Sequence, residues 1–242
     1  IHHYVRSDDR IDPMSEAAIP TKEGDRHQGA FAIYRDRDGT LWAGCEQGLW
    51  AMRPGARRFV RVIVDGAHPV GDVWSILRDR AGRLWVGTGS RGVYVSTGGG
   101  PRPAFIHPPS LAESAPLIAH RTIRALIEDD HGRIWIGTDG AGIVLVEPNR
   151  GFIASGLRRV AANPTSLAGD TVRALALDGS GGIWAATELG ASRTKGPSDK
   201  VVWCGQNSTG ILELTSASRK IGSTAVPLNY RLSDEEAAYV ID

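Results

Sequence analysis

One phrase, D-x-x-G-x-[LI]-W, occurs four times in this chain: Asp36 to Trp42, Asp79 to Trp85, Asp129 to Trp135 and Asp178 to Trp184. Successive tryptophans lie 43, 50 and 49 residues apart, a period that marks solenoids, propellers and arrays. A unit of such a chain buries its apolar face only by stacking on its neighbours. The repeat therefore limits the fold before any single residue is considered.

Each phrase follows a short apolar run: Phe31-Ala32-Ile33-Tyr34, Val73-Trp74-Ser75-Ile76-Leu77, Ile123-Arg124-Ala125-Leu126-Ile127 and Val172-Arg173-Ala174-Leu175-Ala176-Leu177. By length, β-branched content and bounding turn residues these read as strands. The Asp-x-x-Gly between run and tryptophan reads as a hairpin turn. Its carboxylate (Asp36, Asp79, Asp129, Asp178) caps backbone N–H groups, and its glycine (Gly39, Gly82, Gly132, Gly181) takes positive φ. Leu/Ile-Trp-x-Gly-Thr is the second strand, with Ala186 in place of Gly44, Gly87 and Gly137 in the fourth copy. A third strand follows at Gly48-Leu49-Trp50-Ala51-Met52, Gly92-Val93-Tyr94-Val95 and Gly142-Ile143-Val144-Leu145-Val146; fourth strands are weaker, with candidates at 58–63 and 152–154.

Four short antiparallel strands per unit are a β-propeller blade, whose radial repetition protects strand edges. Thirty glycines and 13 prolines suit that punctuation. Leucine-rich repeats are too short for this period, and helical repeats need long 3.6-period stretches that the chain lacks. The predicted fold is all-β: a propeller of four-stranded antiparallel blades, with four to five blades forming an incomplete arc of a larger ring. Its divisions are an outer strand and linker over 1–29, blades over 30–71, 72–121 and 122–170, an irregular blade or blades over 171–231, and the first strand of a following blade over 232–242. In the irregular part Val202-Trp203-Cys204-Gly205, then Gly210-Ile211-Leu212-Glu213-Leu214, reads as a Trp-x-Gly phrase only 19 residues after Trp184. Residues 232–242 match the linker and first strand at 167–178, and both termini of the sequence are expected to fall inside units.

A formal net charge of +1 argues against a dedicated nucleic-acid surface. No apolar run reaches membrane-spanning length, so no membrane contact is expected of this segment, and any secretion leader is expected outside it. Cys45 and Cys204 form neither a CxxC nor a Cys/His cluster and read as small buried residues, not a disulfide. His68, His120 and His131 lie in linkers and a turn without metal spacing, and Gly98-Gly99-Gly100 precedes Pro101 instead of a Lys and a helix. No metal, cofactor or phosphate cradle is expected.

The four turn aspartates could suggest glycoside hydrolysis by paired acids. Recurrence at one position of every unit is instead what a structural turn requires, and the phrase departs from the Asp-box, which has a single glycine two residues after its Asp. Trp42, Trp85, Trp135 and Trp184 could stack on sugars, but repeated aromatics in apolar strands read as inter-blade packing. Trp50 and Trp74, which do not repeat, are the better candidates for exposure, though both read equally as core. A ligand site belongs on the face that carries the linkers and the turns after the tryptophan strands, because loops carry the variable chemistry of a repeated scaffold. The turns offer Glu46, Gln47, Ser90, Arg91, Asp139 and Glu188, and the linkers His68, His120, Arg121 and Asp170.

The stretch from Asn163-Pro164-Thr165-Ser166-Leu167 to Leu175, and Gly132-Arg133-Ile134-Trp135-Ile136-Gly137-Thr138-Asp139-Gly140-Ala141-Gly142-Ile143, resemble the two-component regulator propeller repeats of sensor regions in bacterial hybrid histidine kinases and related signalling proteins. The resemblance covers about residues 30 to 192 and names no catalytic residue. It implies a seven-bladed parent propeller completed by other blades of the same chain. It also implies a periplasmic or extracytoplasmic location within an inner-membrane protein, a homodimeric receptor, and a small polar or carbohydrate ligand sensed without catalysis. Two alternatives remain open: an enzyme resembling streptogramin lyase, and a scaffold for protein interaction.

Overall fold

Every apolar run, and every Leu/Ile-Trp phrase after it, forms a strand, and the Asp turn between them closes a hairpin. The computed structural model describes residues 29–64, 70–97, 103–112, 115–118, 120–161, 163, 166–178 and 181–194, together with the backbone of strands at 2–5, 10–13, 200–204 and 224–228.

The first blade comprises β3 (Ala30–Arg35), β4 (Leu41–Cys45), β5 (Gly48–Met52) and β6 (Val60–Val62). The second comprises β7 (Val73–Arg78), β8 (Leu84–Thr88), β9 (Val93–Thr97) and β10 (Ala104–Ile106). In the third, β11 (Ile123–Glu128), β12 (Ile134–Thr138), β13 (Ile143–Glu147) and β14 (Ile153–Leu157) follow in order. The fourth has three strands among the described residues: β15 (Val172–Leu177), β16 (Ile183–Thr187) and β17 (Gly190–Arg193). All four sheets are antiparallel meanders, and their first strands neighbour one another around the propeller axis. The architecture is a β-propeller. Strand β10 was not foreseen, because prolines at 101, 103 and 108 hide it.

The flanks differ from the expected pattern. Strands β1 (His2–Val5) and β2 (Arg10–Pro13) form a hairpin of their own. Strand β18 (Lys200–Cys204), which holds the Trp203 phrase, pairs in parallel with β19 (Thr224–Leu228), whereas every blade pairing is antiparallel. The expected strands at 210–214 and 232–242, the Gly98–Gly100 loop and His68 lie outside the described residues.

The Asp turn is built the same way four times. The glycine N–H returns to the Asp carbonyl at 3.0 Å in three units and 3.3 Å in the fourth. Gly82, at φ 84, occupies the left-handed region that a Cβ disfavours. Carboxylate Oδ1 caps backbone N–H groups: Asp79 accepts from Arg83 N at 2.8 Å, Asp129 from His131 N at 2.9 Å and Arg133 N at 3.0 Å, and Asp178 from Gly182 N at 2.8 Å.

Oδ2 has a second duty that the turn reading missed. It accepts the indole N–H of the tryptophan six residues on: Trp42 to Asp36 at 3.2 Å, Trp85 to Asp79 at 2.9 Å and Trp135 to Asp129 at 2.8 Å. It also accepts an arginine Nε at 2.6 Å in all four units, from Arg78 of the next blade on Asp36, and from Arg83, Arg133 and Arg193 of the same blade on Asp79, Asp129 and Asp178. Burial pushes the Asp129 carboxyl up, but hydrogen bonds from Trp135 and Arg133 outweigh it and hold the group below the ordinary carboxylate value.

The tryptophans fixed in this way form the inter-blade cores. Trp42 packs with Val73, Val86 and Tyr94 between the first two blades, Trp85 with Ile123, Ile136 and Val144 between the next two, and Trp135 with Val172 and Ile183 before the fourth. Glycine at the crossing permits this approach: a Cβ on Gly87 would lie 2.6 Å from Ile123 Cγ2, and one on Gly137 2.8 Å from Val172 Cγ1. Trp42, Trp85 and Trp135 are at most 6% exposed, but Trp184 is 45% exposed. Of the two readings open for Trp50 the core one holds: it is buried against Ala43, Cys45 and Phe59, because it stands opposite Ala43 on the covered face of the first blade. Cys45 is buried and free, and burial, with the nearby Glu46 charge adding, pushes its thiol up to about 11. Cys204 falls in β18, where only the backbone is described.

Asp79→Ala strands a buried indole N–H and the Arg83 guanidinium, so it is expected to destabilise the domain by about 3–5 kcal/mol. Asp178→Ala, at a unit whose tryptophan is half exposed, is expected to cost about 1 kcal/mol. Urea unfolding midpoints of the two variants check the contrast, and equal losses would contradict the staple.

Candidate functional site

The end of the propeller opposite the Asp turns is where linkers enter the inner strands and tryptophan strands leave. Its backbone is as regular as the other end. The residue after each second strand donates its N–H to the residue before the first: Glu46 to Gly29, Gly89 to Asp72, Asp139 to Thr122 and Glu188 to Thr171, at 2.9 to 3.2 Å. Beneath it, Thr88 and Thr138 donate their hydroxyls to Gly92 and Gly142 carbonyls at 2.8 Å and accept the N–H of Arg91 and Ala141. These bonds hold the turns that carry the variable side chains.

A β-bulge recurs at the start of every inner strand. Ala30 pairs with Cys45 and Ala32 with Gly44, which leaves Phe31 unpaired; Trp74, Arg124 and Arg173 occupy the same place in the other blades. A bulge re-aims its side chain, and here three adjacent ones meet. Phe31 stacks on Trp74 with ring centroids 4.0 Å apart and planes 8° from parallel. The Arg124 guanidinium lies 5.1 Å from the Trp74 ring centroid and binds Asp139 Oδ2 through Nη2 at 2.5 Å and Nε at 3.1 Å. Asp139 Oδ1 in turn accepts the Thr171 hydroxyl at 3.3 Å. The result is a continuous row, Phe31–Trp74–Arg124–Asp139–Thr171, across the inner rim of four blades.

Hydrogen bonds from Arg124 outweigh partial burial and hold the Asp139 carboxyl below its ordinary value, with Thr171 and the Arg121 charge adding to the effect. Asp72 behaves oppositely. Burial pushes its carboxyl up, and the Glu46 charge pushes it further. One rim therefore carries a cation-neutralised carboxylate on its third blade and two mutually repelling carboxylates between its first and second.

The expected ligand residues separate into those within this row and those spent on structure. Asp139 is central, and Arg121 stands beside Gly140, where a Cβ would lie 3.0 Å from Arg121 Nη1. Glu46 is exposed on the first blade, and Arg91 and His120 lie in the second turn and its following linker, with His120 exposed at φ 51. Glu188 Oε2 accepts Thr171 N at 2.8 Å, and Asp170 accepts Arg159 N at 2.7 Å through its carboxylate and Gly142 N at 2.7 Å through its carbonyl. Glu46, Asp139 and Glu188 are equivalent positions; the second-blade equivalent is Gly89, not Ser90 or Arg91. A Cβ there would lie 3.3 Å from Trp74 Nε1, so glycine makes room for the indole. Phe31, Arg124 and Asp72 were missed. The signal for the first two was present: the fifth residue before each turn aspartate reads Phe, Trp, Arg, Arg in a column flanked by small and aliphatic residues.

Among the described residues no group of three or more His, Cys, Asp or Glu is placed to hold a metal ion, and no helix is long and apolar enough to cross a membrane.

The two component regulator propeller model matches residues 24–47, 68–90 and 117–140. Each segment runs from a linker through the inner strand, Asp turn and tryptophan strand to the rim. The chain carries two component regulator propeller repeats. The fourth unit, with Ala186 for glycine, is not among the matched segments. Of solved structures, the extracellular domain of BT4673 from Bacteroides thetaiotaomicron, described as a one component or hybrid two component system, aligns with a TM-score of 0.65 at 19% identity over 81% of this chain and 25% of its own. The extracellular domain of BT3049 of the same organism, also described as a hybrid two component system, aligns with a TM-score of 0.58 at 20% identity over 79% of this chain and 23% of its own. PorZ, a surface component of the type-IX secretion system of Porphyromonas gingivalis, gives 0.58 at 16% identity over 78% of this chain and 28% of its own. Identities of this size carry the fold alone. This chain spans about a quarter of the length of these structures. No curated protein sequence matches it significantly.

Asp72 ionises at a cost in the folded state, since its raised value opposes charge. That penalty is present at neutral pH and vanishes below the ordinary carboxylate range. Asp72→Asn is therefore expected to raise the urea midpoint at pH 7 and leave it unchanged near pH 3. A midpoint that falls at pH 7 would show that the carboxylate has a stabilising partner instead.

Proposed function

We propose that this propeller is the ligand-sensing part of a membrane-anchored receptor of the two component type. It lies on the extracytoplasmic side, binds a polar ligand of carbohydrate character at the rim of the inner strands, and passes the event to an output domain through a change in the arrangement of a receptor dimer. The family of its repeats and the extracellular domains that share its fold support the receptor setting.

The observation that carries the reading is the contrast between the two ends. At the Asp-turn end, the carboxylates that could resemble catalytic acids are occupied by indole and guanidinium donors, a structural use repeated unit by unit. At the rim, the regular backbone presents a different side chain in each blade. A ring with an accessible outer face, Phe31, adjoins a guanidinium and several carboxylates, the mixture that takes the apolar face and hydroxyls of a sugar. In this reading the domain binds its ligand and does not turn it over.

Isothermal titration of the domain, embedded in its full-length receptor, with a panel of neutral and anionic oligosaccharides tests the proposal. One class is expected to bind. Phe31→Ala and Arg124→Ala are each expected to weaken it by roughly thirtyfold or more, whereas Asp130→Ala, exposed at the opposite end, leaves it unchanged. Binding indifferent to both rim variants would remove the site from the rim, and consumption of a bound sugar would make the domain an enzyme.

A further inference from the structure

The rim N–H bonds pair one turn residue with one linker residue in every blade, and the carboxylates of this column divide into two kinds. In the third and fourth blades the protein holds them: Asp139 accepts from Arg124 and from the Thr171 hydroxyl, and Glu188 from Thr171 N. The first two blades carry the carboxylate on opposite members of the pair, Glu46 in the turn facing Gly29, and Asp72 in the linker facing Gly89. Glu46 Oε1 folds back over the linker, 3.0 Å from where a Cβ on Gly29 would stand, two residues before Phe31. Asp72 Oδ2 and Trp74 Nε1 lie 3.6 and 3.3 Å from the equivalent point on Gly89, so acceptor and donor stand side by side. Among the described residues neither carboxylate nor the Trp74 N–H has a hydrogen-bond partner, and burial and the Glu46 charge act together to push the Asp72 carboxyl up. The Arg124 guanidinium further along the row is taken by Asp139. The stacked rings of Phe31 and Trp74 thus carry two carboxylates without a cation and one indole donor without an acceptor.

We infer that this corner of the rim takes a protonated amino group beside the exposed ring of Phe31, and that the saccharide sensed is an amino sugar. The inference rests on the rim being the ligand site. An ammonium has three donors and no acceptor. It can bond Glu46 and Asp72 together, relieve their repulsion and lie against the face of an aromatic ring. The Trp74 N–H needs the opposite partner, and a ring or hydroxyl oxygen next to the amino-bearing carbon supplies it. An amine beside an oxygen on one sugar ring therefore matches the two kinds of unpartnered group. A neutral sugar keeps the apolar face and the oxygens and loses the charge, so the same ring face takes it less tightly. An acidic group at this corner meets two like charges.

Isothermal titration of the full-length receptor near pH 6, where sugar amines are protonated, tests the inference. The probes are oligosaccharides of glucosamine and of galactosamine, each paired with its N-acetylated counterpart. In at least one pair the free amine is expected to bind about tenfold more tightly, an advantage that shrinks as salt is raised. Combining Glu46→Gln with Asp72→Asn is expected to bring the ratio of the two affinities to near unity. The double variant removes a repulsion, so its urea midpoint reports that the fold survives. Equal affinities in every pair, or an advantage that outlives the double variant, overturn the inference and leave the rim reading standing. Binding of neither member of any pair overturns both. An advantage that disappears on chelation gives the carboxylates to a divalent cation and overturns the inference alone.

Discussion

A carboxylate taken out of water must be given donors, and here the donors are an indole and a guanidinium. Asp79, fully buried, receives Trp85 Nε1 and Arg83 Nε on one oxygen and a backbone N–H on the other. The bond to the indole fixes the ring of the second strand against the turn that precedes it. Because that ring is the floor on which the next inner strand rests, one local hydrogen bond sets the inter-blade distance. Glycine at the crossing is the complementary half, since Ile123 seats where a Cβ on Gly87 would be. The arginine is supplied from different places, from the next blade at Asp36 and from the same blade at Asp79 and Asp129. The requirement is thus for a cation at Oδ2 and not for one sequence position.

Concentrating the uniform chemistry at one end leaves the other end free to vary. The rim keeps its backbone bonds in all four units, yet its bulge residues are Phe31, Trp74, Arg124 and Arg173. A bulge costs one ladder position and in return displaces a side chain without displacing the strand. This is how a repeated scaffold presents side chains that do not repeat. The row from Phe31 to Thr171 spans four blades, so a ligand bound along it would couple blades at the rim in addition to their cores and the Arg78–Asp36 contact at the other end. Such coupling is what a receptor needs if the ligand is to favour one arrangement over another.

The period, the strand order and the turns were legible because each rests on local chemistry repeated four times: an Asp that caps, a glycine at positive φ, an apolar run of fixed length. What was not legible rests on contacts beyond the local turn and strand pattern. The Asp–Trp bond joins residues six apart across a turn, and no turn rule contains it. Strand β10 is hidden by its flanking prolines and holds by pairing with β9. Trp50, which the repeat leaves open between exposure and core, is settled by Phe59 and Cys45, which enclose it. At the rim, loop residues such as Glu188 and Asp170 proved to be tied to the backbone. Phe31 and Arg124, in a strand by every local sign, stand out because a bulge re-aims them.

The stacking of the blades depends most on the indole bonds. Hydrogen exchange of the tryptophan side-chain N–H protons, followed by NMR, reads them directly. Trp85 and Trp135 are expected to exchange as slowly as the slowest backbone amides of β8 and β12, through global unfolding alone. If their indole protons instead exchange at the rate of exposed turn amides such as that of Ser90, the bonds do not hold the blades and the account is contradicted.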